Sequence, residues 1–244
     1  MSDKATDLLA TLQSRRLVAD RTMSFRFAKP AGWTYRAGQS IDMTLLDPPE
    51  TDAEGNTRAF SLSSAPAEDW LEITTRLRDT AFKRVIQGMP IGGVVKIEGP
   101  FGDLRLHKAD RPAVMLTGGI GITPFRSILV QAERDGGLPY RVVLLYANRR
   151  PEDAAFLDEI VAIAGADPNL AFVPVMSQPE SSAKPWTGER GHIDEAMLTR
   201  HLSGLDGATY YLTGPPEMVK GLRSVLAARG VDDDAIRTEE FTGY

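Results

Sequence analysis

The sequence of 244 residues contains no cysteine and only three histidines. Without cysteine there are no disulfides, no thiolate metal ligands and no cysteine-ligated iron–sulfur clusters. His107, His192 and His201 form no ligand pair at helical or strand spacing. We therefore predict that this chain holds no metal.

Long apolar runs and an excess of positive charge are also absent. No apolar segment approaches the roughly 20 residues that span a bilayer, and Met1–Ala10 lacks the basic start and apolar core of a signal peptide. Residues 1–110 carry 15 basic and 15 acidic side chains, and residues 111–244 carry 13 basic and 18 acidic ones. Neither half has the excess of positive charge that binding to a polyanion such as nucleic acid requires. We expect no membrane span, no nucleic-acid partner and a cytoplasmic location.

The first 110 residues contain short segments with alternating, β-branched or aromatic side chains, separated by proline and glycine. Closely spaced strands of this kind are typical of an antiparallel barrel. The predicted strands cover 11–18, 23–27, 40–46, 58–63, 70–77 and 94–98. One helix is predicted over 80–87, with Gly88 as its C-terminal stop.

After about residue 110, strand-like and helix-like segments alternate. Strands are predicted at 113–116, 141–147, 170–176, 209–212 and 236–241, and helices at 125–134, 153–164, 194–201 and 216–229. Apolar runs such as 142–146 lack period-two alternation, as expected for strands that are buried on both faces. The pattern is that of a doubly wound α/β domain with a parallel sheet. We therefore predict two domains, 1–110 and 111–244.

A glycine-rich turn, TGGIGITP at Thr117–Pro124, lies between a predicted strand and a predicted helix. Backbone N–H groups and the positive end of the helix dipole converge there, which favours a pyrophosphate. The hydroxyls of Thr117 and Thr123 can donate to phosphate oxygens. The alternative is a tight turn that needs positive φ and binds nothing, and Pro124 replaces the last glycine of the dinucleotide fingerprint.

A second turn, YLTGPPEM at Tyr211–Met218, repeats the strand–turn–helix order. Gly214 allows a close turn, and Pro215 makes it rigid before the helix. Ligands of doubly wound sheets lie at the carboxyl ends of the strands. The turns at Gly121 and Gly214 are therefore predicted to flank one ligand, although a rigid loop without a ligand has the same sequence.

The barrel half contains RAFS at Arg58–Ser61, where alternation puts Arg58 and Phe60 on one strand face and Ser61 on the other. Arginine can bind a phosphate, and a serine hydroxyl can reach a ring nitrogen. Downstream, Thr80 is a predicted helix N-cap whose neighbouring N–H groups suit a phosphate. The alternative at both places is a capping threonine and solvated arginines.

Six motifs follow one another along the chain: RAFS at 58–61, GPFG at 99–102, GGIGITP at 118–124, YANR at 146–149, GPPEM at 214–218 and EEF at 239–241. This ordered series resembles the ferredoxin–NADP reductase family of flavoproteins over nearly the whole chain. The resemblance implies a barrel that holds FAD and an α/β domain that holds NADH or NADPH. It implies an oxidoreductase that takes hydride from NAD(P)H and passes electrons to a small redox protein or an oxygenase component.

The resemblance also implies roles for individual residues. Ser61, Glu239 and Phe241 match the family positions beside the reacting part of the flavin, where Phe241 covers the ring until the nicotinamide arrives. The flavin positions are Arg58, Ala59, Phe60, Ser61, Thr75, Arg76, Leu77, Arg78, Thr80 and Phe241. The nicotinamide nucleotide positions are Thr117, Gly118, Gly119, Gly121, Thr123, Pro124, Arg149, Ser177, Thr213, Gly214 and Pro215.

The chain departs from the family pattern at three places. Phe60 stands where tyrosine is usual, and Thr213 stands where many members have cysteine. Ser177-Gln178 replaces the Ser-Arg pair of many NADPH users, so it lacks a guanidinium for a 2′-phosphate. This favours NADH, whereas Arg149, Lys184 or Arg190 are the candidates for binding the 2′-phosphate of NADPH.

Three alternatives remain at this point. One is an NAD(P)H-dependent flavin, ferric or quinone reductase without a protein partner. Another is a non-catalytic, flavin-binding electron-transfer subunit of a larger complex, which the absence of cluster-binding cysteines disfavours. The last is a dinucleotide-sensing module. FAD is expected over FMN by association with the family, and the sequence leaves the acceptor and the oligomeric state open.

Overall fold

The computed structural model describes residues 8–241 and contains two six-stranded sheets. The first sheet has the order β4-β3-β6-β1-β2-β5, and all its pairings are antiparallel. An isolated antiparallel bridge between Leu62 and Ile73 connects the two ends of this order, so the sheet closes on itself. Its strands are β1 Leu8–Ala19, β2 Thr22–Ala28, β3 Ser40–Leu45, β4 Thr57–Ser61, β5 Trp70–Arg76 and β6 Val94–Phe101.

The barrel encloses an apolar core because its strands alternate between inward and outward side chains. In β3, Ile41, Met43 and Leu45 are buried while the residues between them are partly exposed. Helix α1, Ala81–Gly88, follows the N-cap Thr80 and buries Phe82 and Ile86 against the strands. The predicted antiparallel barrel and its single helix are confirmed.

The second sheet has the order β10-β9-β8-β7-β11-β12, and all its pairings are parallel. The strands are β7 Ala113–Gly118, β8 Val142–Asn148, β9 Leu170–Met176, β10 Glu189–Arg190, β11 Thr209–Gly214 and β12 Ile236–Glu240. The helices are α2 Ile122–Arg134, α3 Leu157–Ala166, α4 Glu195–His201 and α5 Pro216–Ala228. One apolar cluster includes residues of α2 and α3, and another includes residues of α4 and α5. The predicted doubly wound α/β fold is confirmed.

Two helices begin three or more residues away from their predicted starts. Helix α3 begins at Leu157 rather than 153, because Pro151–Asp153 form a separate 3-10 turn and Phe156 has a left-handed φ of 61°. Helix α2 begins three residues earlier than predicted, at Ile122, and takes Pro124 into its first turn. Proline is tolerated there because the first N–H groups of a helix have no intrahelical partner.

Arg126 of α2 joins the two halves of the molecule. Its side chain is 3% exposed and forms ion pairs with Glu68 of the barrel half at 2.8 Å and with Glu159 of α3 at 2.6 Å. It also donates to the carbonyl oxygen of Ser63 at 2.7 Å. The adjacent Ser127 donates its hydroxyl to the carbonyl oxygen of Ser64 at 2.6 Å. The buried Arg126 guanidinium is thus held by carboxylates from both halves. We call this contact between the halves, which includes the hydrogen bonds of Arg126 and Ser127, the seam.

The described part of the chain contains neither a membrane-spanning helix nor a candidate metal cluster. Every helix within residues 8–241 is too short or too polar to cross a bilayer. Those residues also contain no group of three or more His, Asp or Glu side chains placed to hold a metal ion.

Candidate functional site

A small cavity of about 80 Å³ lies where the two sheets meet. The barrel contributes Ala59, Phe60, Ser61, Thr74, Thr75, Arg76 and Lys83 to its lining, and the parallel half contributes Ile120, Thr123 and Phe241. Strand β4 and the end of the described chain are thus brought together, although 180 residues of sequence separate Ser61 from Phe241. The three residues predicted to lie beside the reacting group therefore meet at this cavity or directly behind it.

Ser61 and Glu239 form the direct polar contact between β4 and β12. The Ser61 hydroxyl donates to Oε1 of Glu239 at 2.5 Å. Burial raises the pKa of the Glu239 carboxyl, and the hydrogen bond from Ser61 opposes that shift in part. Phe241 lies two residues after Glu239, and its backbone N–H donates to the carbonyl oxygen of Gly214 at 3.0 Å. Glu239 therefore fixes the orientation of the Ser61 hydroxyl at the cavity wall.

Arg58 is held by the loop before β4. Its guanidinium pairs with Asp52 and Glu54, each at 3.0 Å, and lies 5.3 Å from the centroid of the Phe82 ring. It also donates to the backbone carbonyl oxygens of three residues of that loop. A phosphate that binds Arg58 must compete with these two carboxylates.

A larger cleft of about 1190 Å³ opens at the carboxyl ends of the parallel strands and extends to the loop after β5. Ligand clefts of doubly wound sheets occur at this edge. Predicted positions in its lining are Arg76, Leu77, Arg78, Thr80, Gly118, Gly119, Arg149, Ser177 and Pro215. Arg76 lines both this cleft and the small cavity, so the two spaces adjoin.

Gly121 and Gly214 are packed against each other where β7 and β11 end. A Cβ on Gly121 would lie 2.8 Å from the backbone nitrogen of Gly214 and 2.8 Å from the carbonyl oxygen of Thr213. Gly214 has a φ of 141°, which side chains rarely allow. The two predicted turns therefore approach so closely that only glycine fits at Gly121.

The predicted threonines lie behind these turns. Oγ1 of Thr213 is 2.8 Å from Oγ1 of Thr117 and 2.8 Å from the carbonyl oxygen of Gly121, and both threonines are fully buried. Thr123 donates to the carbonyl oxygen of Ile120 at 3.1 Å. Thr117, Thr213 and Pro124 do not line the large cleft or the small cavity. Their hydroxyls and ring shape the turn, and their contact with a nucleotide stays a prediction.

Two polar residues were not predicted as site residues. Asn148, at the end of β8, lines the large cleft, is 8% exposed, and has no hydrogen-bond partner for either side-chain amide atom. Leaving a buried amide unpaired costs about 1–3 kcal/mol, which a ligand can recover. Lys83 lines the small cavity, where its ammonium lies 4.9 Å from the centroid of the Phe60 ring and donates to Oγ1 of Thr75. For Asn148, the sequence signal that could have indicated a site residue is its position at the end of a strand. For Lys83, it is the position in the first turn of a helix that Thr80 caps.

Several arginines line the large cleft, and Arg150 among them is already paired with carboxylates. Arg150 pairs with Asp153 at 2.7 Å and Asp20 at 3.0 Å, and its guanidinium lowers the pKa of Asp153. Arg149 and Arg78 also line the cleft. Lys184 and Arg190, the other sequence candidates for a 2′-phosphate, are not part of its lining.

A third cleft, of about 1230 Å³, shares Ala59 with the small cavity and includes Glu239. Its lining contains four long cationic side chains and three carboxylates: Arg36, Arg105, Lys108, Arg237, Asp103, Glu239 and Glu240. The Ser61–Glu239 contact therefore lies beside a space that opens to solvent.

The features of the site fit a flavin and a dinucleotide. The large cleft is lined by two turn glycines, an unpaired amide and arginines, and the small cavity presents an aromatic wall, a hydroxyl and an ammonium. Residues 115–224 match the oxidoreductase NAD-binding domain family. The match covers 110 of the 244 residues and lies within the parallel half of the chain.

Solved structures extend the likeness to the whole chain. The cytochrome P450 reductase of Amycolatopsis matches with a TM-score of 0.82 at 26% identity, covering 100% of this chain and 74% of that one. A ferredoxin NADP+ reductase from Neisseria gonorrhoeae, with bound FAD and NADP, matches with a TM-score of 0.78 at 24% identity, covering 97% and 99% of the two chains. The fold is that of the ferredoxin–NADP reductase-like flavoproteins, and the predicted resemblance is confirmed.

Among curated proteins, the glycine betaine monooxygenase reductase subunit of Chromohalobacter salexigens is 27% identical over 226 residues. The match covers 91% of this chain and 60% of that protein. Three further relatives are covered over 63% to 68% of their length. The chain therefore spans between 53% and 68% of the length of the curated relatives compared.

Proposed function

We propose that this chain holds FAD between a barrel domain, residues 1–110, and a nucleotide domain, residues 111–244, and transfers hydride to it from NADH or NADPH. The observation that carries the proposal is the small cavity whose wall combines Phe60 and Ser61 of β4 with Ile120, Thr123 and Phe241. A cavity lined from both halves, beside a cleft of the NAD-binding domain, suits two groups that must react with each other.

The barrel residues orient the flavin in this proposal. Bound FAD supplies the redox chemistry, since it accepts a hydride and releases its electrons singly or as a pair. Arg58 and the N–H groups after Thr80 bind its phosphates. Ser61 places a hydroxyl, fixed by Glu239, at the nitrogen that receives the hydride. Phe241, which lines the small cavity, would cover the ring face of a bound flavin and would have to move aside for the nicotinamide.

The nucleotide half binds the reduced coenzyme through backbone groups at Gly118, Gly119 and Pro215. The side-chain amide of Asn148 gains its missing partners from the ligand. We propose NADH as the preferred coenzyme, because Ser177-Gln178 presents no guanidinium at the end of β9. Arg149 is the cleft residue available for a 2′-phosphate, so the preference is moderate rather than absolute.

The electron acceptor is proposed to be an oxygenase component or a small redox protein. The relatives that support this are named as a monooxygenase reductase subunit and a dioxygenase electron transfer component. The third cleft, which contains Ala59 and Glu239, gives such an acceptor access to the ring edge. A cytoplasmic location accompanies the proposal, since the cytoplasm supplies reduced nicotinamide coenzyme.

Anaerobic mixing tests this function. The purified protein is expected to show the visible bands of bound flavin, and NADH should bleach them faster than NADPH at equal concentration. Cofactor release and chromatography distinguish FAD from FMN. A colourless protein that does not bind added FAD, or bound flavin that neither coenzyme reduces, contradicts the proposal.

A second candidate is a reductase of free flavins, ferric chelates or quinones. The third cleft supports it, because a small acceptor could reach Ala59 at the wall of the small cavity from solvent. Turnover with riboflavin, ferric citrate or a benzoquinone as acceptor tests it. Turnover that rises only when a redox protein or oxygenase component is added selects the first candidate.

A further inference from the structure

Lys83 is a cation that faces the small cavity without an anionic partner. It lies in the first turn of α1, and its ammonium contacts the Phe60 ring and the hydroxyl of Thr75. The charged groups that act on it are Arg58 and Arg78, which are both cations. Within residues 8–241, no carboxylate forms an ion pair with its ammonium. The cluster therefore gathers positive charge at one wall of the cavity.

This arrangement is costly in the absence of a ligand. Burial lowers the pKa of Lys83 to about 8, and the neighbouring guanidinium groups act in the same direction. A buried cation is normally paired or loses its proton. Glu239 lies behind the cavity wall and is bonded to Ser61, and the other cation in the lining, Arg76, donates to the carbonyl oxygen of Asp153 at 3.2 Å. None of these groups neutralises Lys83.

The position of the ammonium also matters. It lies over the Phe60 ring inside the cavity, so a planar ring system that enters the cavity must displace it. The four-carbon side chain is flexible, and Lys83 belongs to the first turn of α1, close enough to Arg58 and Arg78 for their charges to act on it. An anion bound there would neutralise Lys83 and would compete with Asp52 and Glu54 for Arg58.

We propose that Lys83 is a ligand of the flavin phosphates, and that it moves from Thr75 to the phosphate next to the ribityl chain when the cofactor binds. The inference rests on the proposed flavin function and adds a residue to it. Phosphate oxygens match the uncompensated charge of the cluster, whereas the oxidised ring is neutral. Charge-assisted hydrogen bonds of this kind are the strong ones.

The test compares three flavins on the full-length apoprotein at about pH 7. Lys83→Met is expected to weaken binding of FAD and of FMN by about 10–100-fold, from the strength of a charge-assisted contact. Riboflavin, which has the ring and no phosphate, should bind with unchanged affinity. The matched control is Lys96→Met in β6, a half-exposed lysine paired with Glu98 at 2.7 Å, which should alter none of the three. Quenching of flavin fluorescence gives the dissociation constants.

A pH profile of the wild-type protein gives an independent measurement. Below about pH 8 the Lys83 ammonium is already protonated, so FAD affinity should be constant. Above that pH, binding requires proton uptake, and affinity should fall by up to roughly tenfold per pH unit. Lys83→Arg keeps its charge, so its FAD affinity should stay level over the same range, as should the riboflavin affinity of the wild type.

Three outcomes overturn the inference. Equal losses for riboflavin and FAD would assign Lys83 to the ring or to folding. Unchanged FAD affinity in Lys83→Met would remove it from the site while leaving the flavin function intact. A wild-type protein that binds none of the three flavins would overturn the proposed function and this inference with it. If Lys83→Met does not fold, the wild-type pH profile and Lys83→Arg decide the question.

Discussion

The two halves of the site present different kinds of group to a ligand. The barrel half presents charged side chains, of which Arg58 and Lys83 are the clearest examples. The parallel half presents the turn glycines Gly118 and Gly119, and next to them Gly121 packs against Gly214 without room for a Cβ on Gly121, although neither of these two lines the cleft. Side chains can turn to meet a ligand but lose hydration when buried, whereas a backbone turn is fixed in place. Substitutions in the barrel half should therefore change the affinity for flavin and its pH dependence. Substitutions in the parallel half should change the shape of the coenzyme site.

The largest expected effect comes from breaking the seam that holds the halves in one arrangement. Arg126→Met leaves Glu68 buried and both carboxylates without their cation. Removing one partner of a buried pair typically costs about 3–5 kcal/mol. Urea denaturation gives the free energy of unfolding.

The control for the seam is Arg223→Met, which removes an exposed pair with Asp233. Surface pairs contribute about 0–1 kcal/mol. Equal losses in the two variants would show that the seam does not hold the halves together.

The second effect tests the fixed backbone of the parallel half. Gly121→Ala sets a Cβ against backbone atoms at 2.8 Å, and overpacking of this kind costs about 1–3 kcal/mol. Coenzyme binding should be lost while FAD binding by the barrel half persists. Calorimetric titration with NADH and with FAD measures the two separately.

Gly221→Ala is the matched glycine substitution. Gly221 lies within α5, where an added Cβ meets nothing within 4 Å. Alanine there should stabilise the protein by about 0.5–1 kcal/mol. If Gly121→Ala binds NADH like Gly221→Ala, the difference between the two halves of the site is smaller than the contacts indicate.

The smallest expected effect concerns acid stability at His107, which is buried against Tyr140 and Tyr211. His107 stacks on Tyr140 at 4.5 Å between ring centroids and accepts or donates at the hydroxyl of Tyr211, 3.0 Å away. Burial lowers the pKa of His107, so its neutral form is favoured in the folded state. Its contribution to stability is present above the ordinary pKa of about 6.5 and is lost as the pH falls.

His107→Gln keeps hydrogen-bonding capacity without titrating. The melting temperature of the wild type should therefore fall more steeply between about pH 7 and pH 5 than that of the variant. Parallel curves would mean that other groups account for the acid dependence. Lys83, whose pKa is about 8, would then be the titrating group by which the barrel half differs from the parallel half.

The sequence predicts the sheets and the turns because local pattern determines them. Alternation gives the barrel strands, buried apolar runs give the parallel strands, and Gly121 and Gly214 mark the ends of β7 and β11. The start of α3 was misplaced because a left-handed residue, Phe156, interrupts a pattern that looks continuous. Strand β10, with two residues, is too short to show a period.

Long-range contacts could not be predicted in the same way. The hydrogen bond between Ser61 and Glu239 joins residues 178 positions apart, and only the resemblance placed both near one group. Arg126 has the sequence environment of an ordinary helix residue, and its two carboxylates come from other elements. Lys83 and Asn148 become notable only when burial and missing partners are known.

The contact of Ser61 with Glu239 has a consequence for how the protein is made. A ribosome releases β4 long before β12, so the barrel strands can pair while the Ser61 hydroxyl still has no acceptor. Contacts so distant in sequence form late, because the closure of a long loop must precede them. The orienting bond is completed only when β12 docks beside β11, so a nascent chain that stops short of this strand would contain a folded barrel with an unoriented serine.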